Sequence, residues 1–346
     1  MDSPEMDKAS TAEREAMSRA VALAARGLGR TSPNPVVGCV VLDARGEAVG
    51  EGFHVWADGG AHAEVRALAE AGDSARGGTA VVTLEPCAHT GRTGPCSDAL
   101  IAAGIARVVY AVSDPTEMAS GGASRLRAAG VEVEAGLLDD EARRGNEAWL
   151  LAARLGRPHV HWKWAATLDG RSAAADGTSR WITGPQARAE VHTLRDQVDA
   201  VVVGTGTALA DDPSLDVRPA PADGRQPLAV VVGRRPLPAG SRLAGRAATV
   251  ALATHDPLAA LADLYERGVR SVLLEGGPTL AGAFLRAGAV DRVTAYLAPA
   301  LLGSGPAALA DAGISSIGDA LRLELESVER VGDDVRVRAT IPRKER

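Results

Sequence analysis

The sequence predicts two α/β domains in one chain of 346 residues. Three observations support this prediction. The length exceeds what one hydrophobic core usually organises, which favours two domains of ordinary size. Strand-like apolar runs alternate with helical patterns along most of the chain, as in layered α/β folds. Hydrophobic residues make up 46% of the composition and charged residues 24%, which is the balance of a globular protein.

The first domain is predicted to span residues 1–152. Residues 12–26 repeat apolar positions at helical spacing and are followed by Gly27, a residue type that often ends a helix. Residues 36–52 are typical of two strands around a polar turn. The alternation then continues, with helices predicted at 62–72, 97–104 and 124–130 and strands at 79–87, 107–115 and 131–138.

The second domain is predicted to span residues 153–346, after a connecting segment at 151–158. Its C-terminal residues 321–342 alternate apolar and polar positions with period two, which predicts a closing hairpin. Before this hairpin we predict strands beginning at 158 and at 199–206, 227–233, 270–277 and 291–299, and helices at 186–197 and 279–288.

Charge and composition exclude several classes of protein. The net charge of −6 and the scarcity of aromatic residues argue against a nucleic-acid-binding surface. No apolar stretch approaches the roughly 20 residues of a membrane span, and the first 17 residues contain no apolar core of a secretory signal. The three cysteines are too few for a disulfide framework, so we expect a cytoplasmic protein with reduced thiols.

His62, Cys87 and Cys96 form the strongest chemical pattern in the sequence. One imidazole and two thiolates suit a catalytic zinc ion that keeps its fourth position for water and lowers the pKa of that water toward about 7. Glu64 follows His62 by two residues, which suits a carboxylate that moves protons without binding the metal. Pro86 and Pro95 each precede a cysteine where a helix could begin, and a helix N-terminus favours the thiolate.

Simpler interpretations compete with this one. A single His-Ala-Glu occurs by chance in many helices, and buried cysteines often serve only as small apolar residues. A structural zinc site would need a fourth protein ligand, for which His89 is the candidate. Cys39 lies in an apolar run and is predicted to be a packed strand residue. The combination of His-Ala-Glu with two Pro-Cys pairs favours a zinc-dependent deaminase.

A family resemblance becomes specific at this point. The metal cysteines are separated by eight residues, AHTGRTGP, rather than the two of cytidine and tRNA-adenosine deaminases. TSPNPVVGCV, GEGFH, AHAEV and TLEPCAHTGRTGPC resemble the deaminase half of the bifunctional riboflavin-biosynthesis deaminase/reductase family. WKWAATLDGR, SRWITG, HTLRDQVDAVVVGTGTALADDPSLDVR and LLEGGPTLAGAFL resemble its reductase half, in the same order.

The resemblance implies an N-terminal cytidine-deaminase-like three-layer α/β/α domain and a C-terminal dihydrofolate-reductase-like α/β domain. The first would deaminate 2,5-diamino-6-(5-phosphoribosylamino)pyrimidin-4(3H)-one with zinc. The second would reduce the ribosyl group of the product to ribityl with NADPH. For the deaminase substrate the resemblance implies contacts from Asn34, His54, His89, Arg92 and Asp114. Thr116 stands where the family usually has Asn, and the segment from His54 to His62 is one residue longer than usual.

In the reductase half the glycines of Glu275-Gly276-Gly277-Pro278-Thr279 join a strand to a helix, which lets backbone N–H groups approach a phosphate. Gly204-Thr205-Gly206 lacks the third glycine of a dinucleotide fingerprint and is weak evidence by itself. The resemblance implies Lys163 as a catalytic residue near the reacting sugar carbon. It implies NADPH contacts from Ala165, Trp181, Thr207, Asp211, Gly277, Pro278 and Thr279, and reductase-substrate contacts from Ser179, Arg195, Leu215, Arg218 and Glu275. Arg195 and Arg218 would clamp the phosphate in bidentate fashion.

The expected ligands are therefore zinc, NADPH and a phosphoribosyl pyrimidine, with neither nucleic acid nor membrane as a partner, and we expect the chain to form a homo-oligomer. A rival interpretation is a nucleic-acid or nucleoside deaminase fused to a non-catalytic nucleotide-binding domain. Another is a non-enzymatic zinc module fused to a nucleotide sensor. A helical Arg is usually a solvated charge and a strand Trp usually belongs to a core, so the reductase assignment depends on the ordered set of motifs.

Overall fold

The computed structural model describes residues 9–56, 60–89, 94–116 and 121–343. The chain divides into two compact units between Arg154 and Leu155. No helix in the described part of the chain is long and apolar enough to cross a membrane.

The first unit is built on a five-stranded sheet in the order β2-β1-β3-β4-β5. β1 runs antiparallel to β2 and β3, whereas β3, β4 and β5 are parallel. The carboxyl ends of β3 and β4 therefore lie at the same edge, where ligand-binding loops collect in α/β folds. The strands are β1 (Gly38–Leu42), β2 (Ala48–Phe53), β3 (Thr79–Leu84), β4 (Arg107–Val112) and β5 (Glu132–Ala135).

Helices cover both faces of this sheet. Alternate residues of β1 point to opposite sides, so Val40 and Leu42 pack in one apolar cluster and Cys39 and Val41 in the other. The first cluster includes residues of α1, α5 and α6, and the second includes residues of α2, α3 and α4. The helices are α1 (Thr11–Ala25), α2 (Ala63–Ala71), α3 (Cys96–Ala103), α4 (Gly122–Ala128), α5 (Asp139–Gly145) and α6 (Glu147–Leu155), with a 3₁₀ turn at Gly72–Ala75.

The second unit contains an eight-stranded sheet in the order β12-β13-β11-β6-β10-β7-β8-β9. The six strands from β11 to β9 in this order are parallel, and the hairpin of β12 and β13 adds two antiparallel strands at one edge. The strands are β6 (His159–Thr167), β7 (Ala200–Gly204), β8 (Leu228–Val232), β9 (Thr249–Leu252), β10 (Ser271–Leu274), β11 (Arg292–Ala298), β12 (Glu324–Val331) and β13 (Asp334–Thr340).

The parallel strands of the second unit are buried on both faces. One apolar cluster joins them to two helices on one side, and a second cluster covers the opposite side. This explains why the strand sequences read as continuous apolar runs such as AVVV and SVLL. The helices are α7 (Pro185–Asp196), α8 (Thr205–Asp211), α9 (Pro257–Glu266) and α10 (Pro278–Arg286), with a 3₁₀ turn at Ile317–Asp319.

The predicted layered α/β architecture is confirmed in both units, with four local differences. The helices α5 and α6 were not predicted from the sequence pattern. The connecting segment predicted at 151–158 is in part helical, because α6 continues to Leu155. The Gly-Thr-Gly sequence after β7 begins the short helix α8. The pair β9 and α9 was not predicted from the sequence pattern.

Candidate active sites

Three potential metal ligands meet near the carboxyl end of β3. His62 is the N-cap residue of α2, Cys96 is the first residue of α3, and Cys87 lies in the loop after β3. The His62 Nδ1 atom is 3.1 Å from the Cys96 sulfur and 3.6 Å from the Cys87 sulfur. All three ligand atoms lie within 4.8 Å of one another. Tetrahedral zinc separates its nitrogen and sulfur ligands by about 3.5 Å, so this donor set fits zinc.

The two thiols are in different electrostatic states. Hydrogen bonding with the Cys96 thiol, followed by that with His62, lowers the pKa of Cys87 to about 4. The same contact with Cys87, together with burial, raises the pKa of Cys96. The backbone N–H of Cys96 also donates to the Cys87 sulfur over 3.3 Å. Since zinc binds cysteine as the thiolate, metal binding would release the proton held by Cys96.

The prediction that both cysteines begin helices is correct only for Cys96. Cys87 is in a loop, and Pro95 is the N-cap of α3 rather than its first helical residue. His89 lines the nearby cavity, but it does not belong to the group of potential metal ligands found among the described residues. A closed structural site with His89 as the fourth ligand is therefore not supported. Cys39 is fully buried in β1, as predicted.

Glu64 lies beside the potential ligands in the first turn of α2. Its side chain is buried, and this burial raises the pKa of the carboxyl group. Glu64, His62 and Cys87 all line one cavity of about 490 Å³. A carboxyl group of raised pKa can hold a proton and release it within such a cavity, which is the property needed for proton transfer.

Asn34 and His54 form a hydrogen-bonded pair in the wall of the same cavity. The His54 Nδ1 atom lies 3.1 Å from the carbonyl oxygen of Ala61, and its Nε2 atom lies 3.2 Å from the Asn34 amide nitrogen. A neutral ring that donates from Nδ1 and accepts at Nε2 satisfies both contacts. Burial also lowers the pKa of His54, which favours this neutral form.

Asp114 reaches the cavity from the loop after β4. Its Oδ1 atom accepts hydrogen bonds from the backbone N–H and the hydroxyl group of Thr116, over 2.8 and 2.6 Å. Burial raises the pKa of Asp114 despite these contacts. Thr116 therefore supports Asp114 by a hydroxyl group where the family usually places an Asn amide.

Glu85 organises this end of the sheet, and the sequence interpretation did not identify it. One carboxylate oxygen accepts the N–H groups of Gly121 and Ala123 over 3.2 and 3.0 Å, and the other accepts that of Asp114 over 3.4 Å. Glu85 is buried and lines the cavity. It thereby holds together the loop that carries Cys87, the loop that carries Asp114 and the start of α4. Its position directly before Pro86-Cys87, at the end of an apolar strand, was the available signal.

The second unit concentrates charge around Glu275, which follows β10. Lys163 on β6 donates to Glu275 over 2.8 Å, and Arg195 on α7 donates from two nitrogens over 2.6 and 3.0 Å. Burial alone would raise the pKa of Glu275, but the two cations outweigh it and hold the pKa well below the usual range. The cluster of one carboxylate and two cations therefore carries a net positive charge.

Two glycine-containing turns lie close together beside this cluster. Gly277 is the N-cap of α10, and a Cβ atom placed on it would lie 2.9 Å from the hydroxyl group of Thr207 on α8. A Cβ atom on Gly276 would lie 2.6 Å from the side chain of Leu280. The N-cap of α10 makes no side-chain capping hydrogen bond. Gly277 and Thr279 carry backbone N–H groups at this helix start, whereas Pro278 carries none, so the turn offers donors to the diphosphate of a dinucleotide cofactor.

Comparisons with known proteins agree with both sites. Residues 10–112 match the model of the cytidine and deoxycytidylate deaminase zinc-binding region, and residues 158–337 match that of the RibD C-terminal domain. Riboflavin biosynthesis protein RibD of Mycobacterium tuberculosis is 51% identical over 93% of this chain and 95% of its own length. The Escherichia coli protein of the same name is 42% identical over 92% and 96%. This chain belongs to the RibD family.

Solved structures of the family have the same fold over the whole chain. Acinetobacter baumannii RibD is 38% identical, with a TM-score of 0.89 over 96% of this chain and 99% of its own. A Thermotoga maritima diaminohydroxyphosphoribosylaminopyrimidine deaminase/5-amino-6-(5-phosphoribosylamino)uracil reductase is 34% identical, with a TM-score of 0.88 over 96% and 99%. The predicted family, fold class and bifunctional activity in riboflavin biosynthesis are confirmed. The deaminase half is a zinc domain, and NADPH is the cofactor of the reductase half.

The structure brings most of the predicted deaminase residues into one cavity, but their roles stay predictions. Arg92 lies outside the described residues. The remaining eight residues comprise the potential metal ligands, Glu64 and the other residues expected to contact substrate. Cys96 belongs to the group of potential metal ligands, and the other seven line the cavity: Asn34, His54, His62, Glu64, Cys87, His89 and Asp114. Thr116, at the position where the family usually has Asn, lines the cavity as well.

The residues predicted to contact the reductase substrate differ in exposure and in hydrogen-bond partners. Arg195 makes its bidentate contact with Glu275 rather than having both nitrogens free for phosphate, and its third nitrogen donates to the Asp216 carbonyl over 2.9 Å. Arg218 is exposed and lies 3.2 Å from the Asp216 carboxylate. The side chain of Leu215 is buried in an apolar cluster, so only its backbone is available to a substrate.

The predicted NADPH residues come from four parts of the second unit. Ala165 is half-buried on β6, and Trp181 is 70% exposed with the Arg188 guanidinium 4.6 Å from its ring centre. Thr207 and Asp211 are both on α8. Pro278 and Thr279 begin α10 after Gly277, and Ser179, from the substrate set, is half-buried shortly before Trp181.

Proposed function

We propose that the first unit removes the ring amine of 2,5-diamino-6-(5-phosphoribosylamino)pyrimidin-4(3H)-one. In this proposal the second unit reduces the ribosyl group of the product to give 5-amino-6-(5-phosphoribitylamino)uracil. The observation that carries the proposal is the cavity in which a His-Cys-Cys ligand group lies beside a buried, non-ligating carboxyl group. The activities named for the Thermotoga maritima relative support the choice of substrate.

In the deaminase cavity His62, Cys87 and Cys96 would hold zinc, which would supply an activated water for attack on the ring carbon. Glu64 takes a proton from the water and delivers it to the departing amine, so that ammonia leaves as a neutral molecule. Asn34 and His54 form a rigid pair of polar groups for the pyrimidine edge. His89, Arg92 and Asp114 contact the remainder of the substrate, including its phosphorylated sugar.

In the reductase half the start of α10 would hold the cofactor diphosphate through backbone N–H groups. Ala165, Trp181, Thr207 and Asp211 would contact other parts of NADPH, which would supply the hydride. Lys163 lies near the sugar carbon that accepts it, and Glu275 holds the Lys163 ammonium in place. Because the cluster has a net positive charge, it stabilises negative charge that develops on the substrate.

Arg218 is the proposed phosphate contact of the reductase substrate, together with Ser179 and the backbone of Leu215. Its guanidinium lies 3.2 Å from the Asp216 carboxylate, but its side chain is 63% exposed, so a phosphate can reach it, whereas the Arg195 side chain is 12% exposed and paired with Glu275. We therefore assign Arg195 a smaller share of the phosphate contact than its resemblance to family members implies.

The test uses the purified full-length chain and the diaminopyrimidine ribotide. The chain should release ammonia from this substrate when NADPH is absent. When NADPH is then added, it should be oxidised only once deaminated product has formed. Glu64→Gln should retain about one zinc per chain and lose ammonia release by several orders of magnitude, while it still reduces the deaminated ribotide. Normal ammonia release by this variant would contradict the proton-transfer role, and a wild-type chain without deaminase activity would contradict the proposal as a whole.

We also propose that the chain is a homo-oligomer. β12 is the edge strand of the eight-stranded sheet, and its Leu325 and Val328 are 65% and 56% exposed. Half of the residues of β12 are charged, but the strand forms the outer edge of the sheet, and a second copy that paired with it would cover this edge and both apolar side chains. Sedimentation velocity should therefore show a species larger than a monomer. A monomer over the whole accessible concentration range would contradict this.

A further inference from the structure

Trp149 lies on α6 and forms part of the wall of the deaminase cavity. Its indole N–H donates to the carbonyl oxygen of Pro33 over 3.0 Å. This hydrogen bond holds the ring against the turn that begins the cavity wall. Trp149 lies in none of the sequence motifs. It directly precedes the segment 151–158, which the sequence analysis interpreted as a connection between domains.

A second tryptophan is held by the same turn. The indole N–H of Trp56 is 2.7 Å from the carbonyl oxygen of Thr31 and 2.9 Å from that of Ser32. Trp56 also lines the cavity, and its ring packs edge-on against His54 with ring centres 5.8 Å apart. Successive carbonyl groups of one turn thus orient two indole rings toward one cavity.

This arrangement is unusual for the chain, which has only five tryptophans, three tyrosines and two phenylalanines. The cavity is otherwise lined by the apolar residues Pro33, Pro35, Val37 and Leu84 and by polar residues that include two of the potential metal ligands. A flat heteroaromatic ring needs a flat apolar surface for its faces and polar groups for its edge. The cavity has polar edge groups in Asn34 and Glu64 and aromatic surface in its tryptophans.

We propose that Trp149 is a substrate-binding residue of the deaminase, whose indole packs on the face of the pyrimidine ring. The inference rests on the proposed placement of that ring beside the metal group. The proposal also gives the last helix of the first unit a role in substrate binding. This helix, α6, carries Trp149 and continues to Leu155, immediately after the point where the chain divides. The helix that leads out of the deaminase unit contributes to the substrate site of that unit.

The first experiment measures steady-state deamination by full-length Trp149→Ala, Trp149→Phe and Leu150→Ala. Leu150 is the matched control, because it packs with Trp149 against the same apolar cluster but does not line the cavity. Loss of stacking on one base should raise KM by roughly 10- to 100-fold in Trp149→Ala, with kcat changed by less than about threefold. Trp149→Phe keeps an aromatic face and should restore most of the affinity. Leu150→Ala should keep the wild-type KM.

The zinc content of the same chains reports whether the deaminase unit of each variant is folded, and the reductase reaction with the deaminated ribotide reports the same for the second unit. If Trp149→Ala has the KM of Leu150→Ala while both retain reductase activity and zinc, Trp149 only supports the fold and the inference is wrong. If wild-type protein itself fails to deaminate the ribotide, the proposed function fails instead, so the two failures are distinguishable.

The second experiment observes the contact directly. The diaminopyrimidine ribotide is titrated into Glu64→Gln, which binds it without turnover, and tryptophan fluorescence is followed. A base stacked on Trp149 should quench that indole, so the additional substitution Trp149→Phe should remove most of the quenching. Equal quenching with and without Trp149 would overturn the proposal even if KM had changed.

Discussion

Gly122→Ala tests whether close packing behind the metal loop sets the position of Cys87. Gly122 is the first residue of α4, and a Cβ atom placed on it would lie 1.6 Å from the carbonyl oxygen of Pro86 and 2.8 Å from its carbonyl carbon. Ordinary contacts of a Cβ atom begin at 3.4 Å. Relief of the clash therefore requires a relative movement of about 1.8 Å, the difference between 3.4 and 1.6 Å.

Local propensity and packing predict opposite outcomes for this substitution. Alanine in place of glycine favours a helix by about 1 kcal/mol, so a substitution without steric conflict would stabilise the protein. Forcing a methyl group into a packed site typically costs about 1–3 kcal/mol. The obstacle here is backbone rather than a flexible side chain, so we expect the cost to prevail and the thermal midpoint to fall.

The movement has a second consequence, because Pro86 directly precedes the ligand Cys87. Metal–ligand distances tolerate only about 0.2 Å of deviation, so a loop displaced by more than an ångström should bind zinc poorly. We expect the zinc affinity of Gly122→Ala to fall on the order of 10- to 100-fold, comparable to the loss of a group that orients a ligand. Ammonia release should fall with it, while reduction of the deaminated ribotide remains near the wild-type rate.

The assay is a competition titration with a zinc chelator, combined with thermal unfolding. Gly145→Ala is the matched control, because it lies in the same unit at the end of α5, and a Cβ atom there meets no atom within 4 Å. The control should bind zinc as the wild type does. If Gly122→Ala also binds zinc and unfolds as the wild type does, the packing argument is refuted.

Four other predictions are tested by simpler measurements. Removal of zinc by a chelator should abolish ammonia release but leave NADPH oxidation with the deaminated ribotide unchanged. Added zinc should restore ammonia release. Loss of both activities would contradict separate sites. Arg218→Ala should raise KM for the ribotide in the reductase step and leave deamination unchanged, so equal losses in both would argue against the assignment. Glu275→Gln leaves two buried cations without their carboxylate and should destabilise the chain by about 3–5 kcal/mol, which denaturant unfolding measures; an unchanged midpoint would mean that the ion pairs add nothing. Burial lowers the pKa of His159 to about 4. Between pH 6.5 and 4 the unfolded chain therefore binds a proton more readily than the folded chain. The free energy of unfolding should fall by about 3 kcal/mol as the pH falls through this window. His159→Gln should flatten this part of the pH profile, and an unchanged slope would refute the assignment to His159.

Much of the fold could be predicted from the sequence because its information is local. Apolar runs of four or five residues determine the parallel strands of the second unit, and their alternation with helical patterns determines the layers. The glycines before α10 and the position of Cys96 at a helix start follow from short-range backbone preferences. The elements that were missed, α5, α6, α8, β9 and α9, each have at most ten residues, so local pattern did not distinguish them from loops.

The sequence by itself determined the chemistry of the metal group. One histidine and two cysteines predict a zinc site, and the neighbouring glutamate predicts a group for proton transfer. These predictions follow from residue type and spacing, without knowledge of the surrounding structure. Only the tertiary structure decided that Glu85 ties the loops of Cys87 and Asp114 together, that Trp149 forms a wall of the cavity, and that Arg195 is paired with Glu275. The physical reason is that the partner of a side chain is one of several competing groups that are distant in the sequence. Burial and charge settle that competition, and both exist only after the chain has folded.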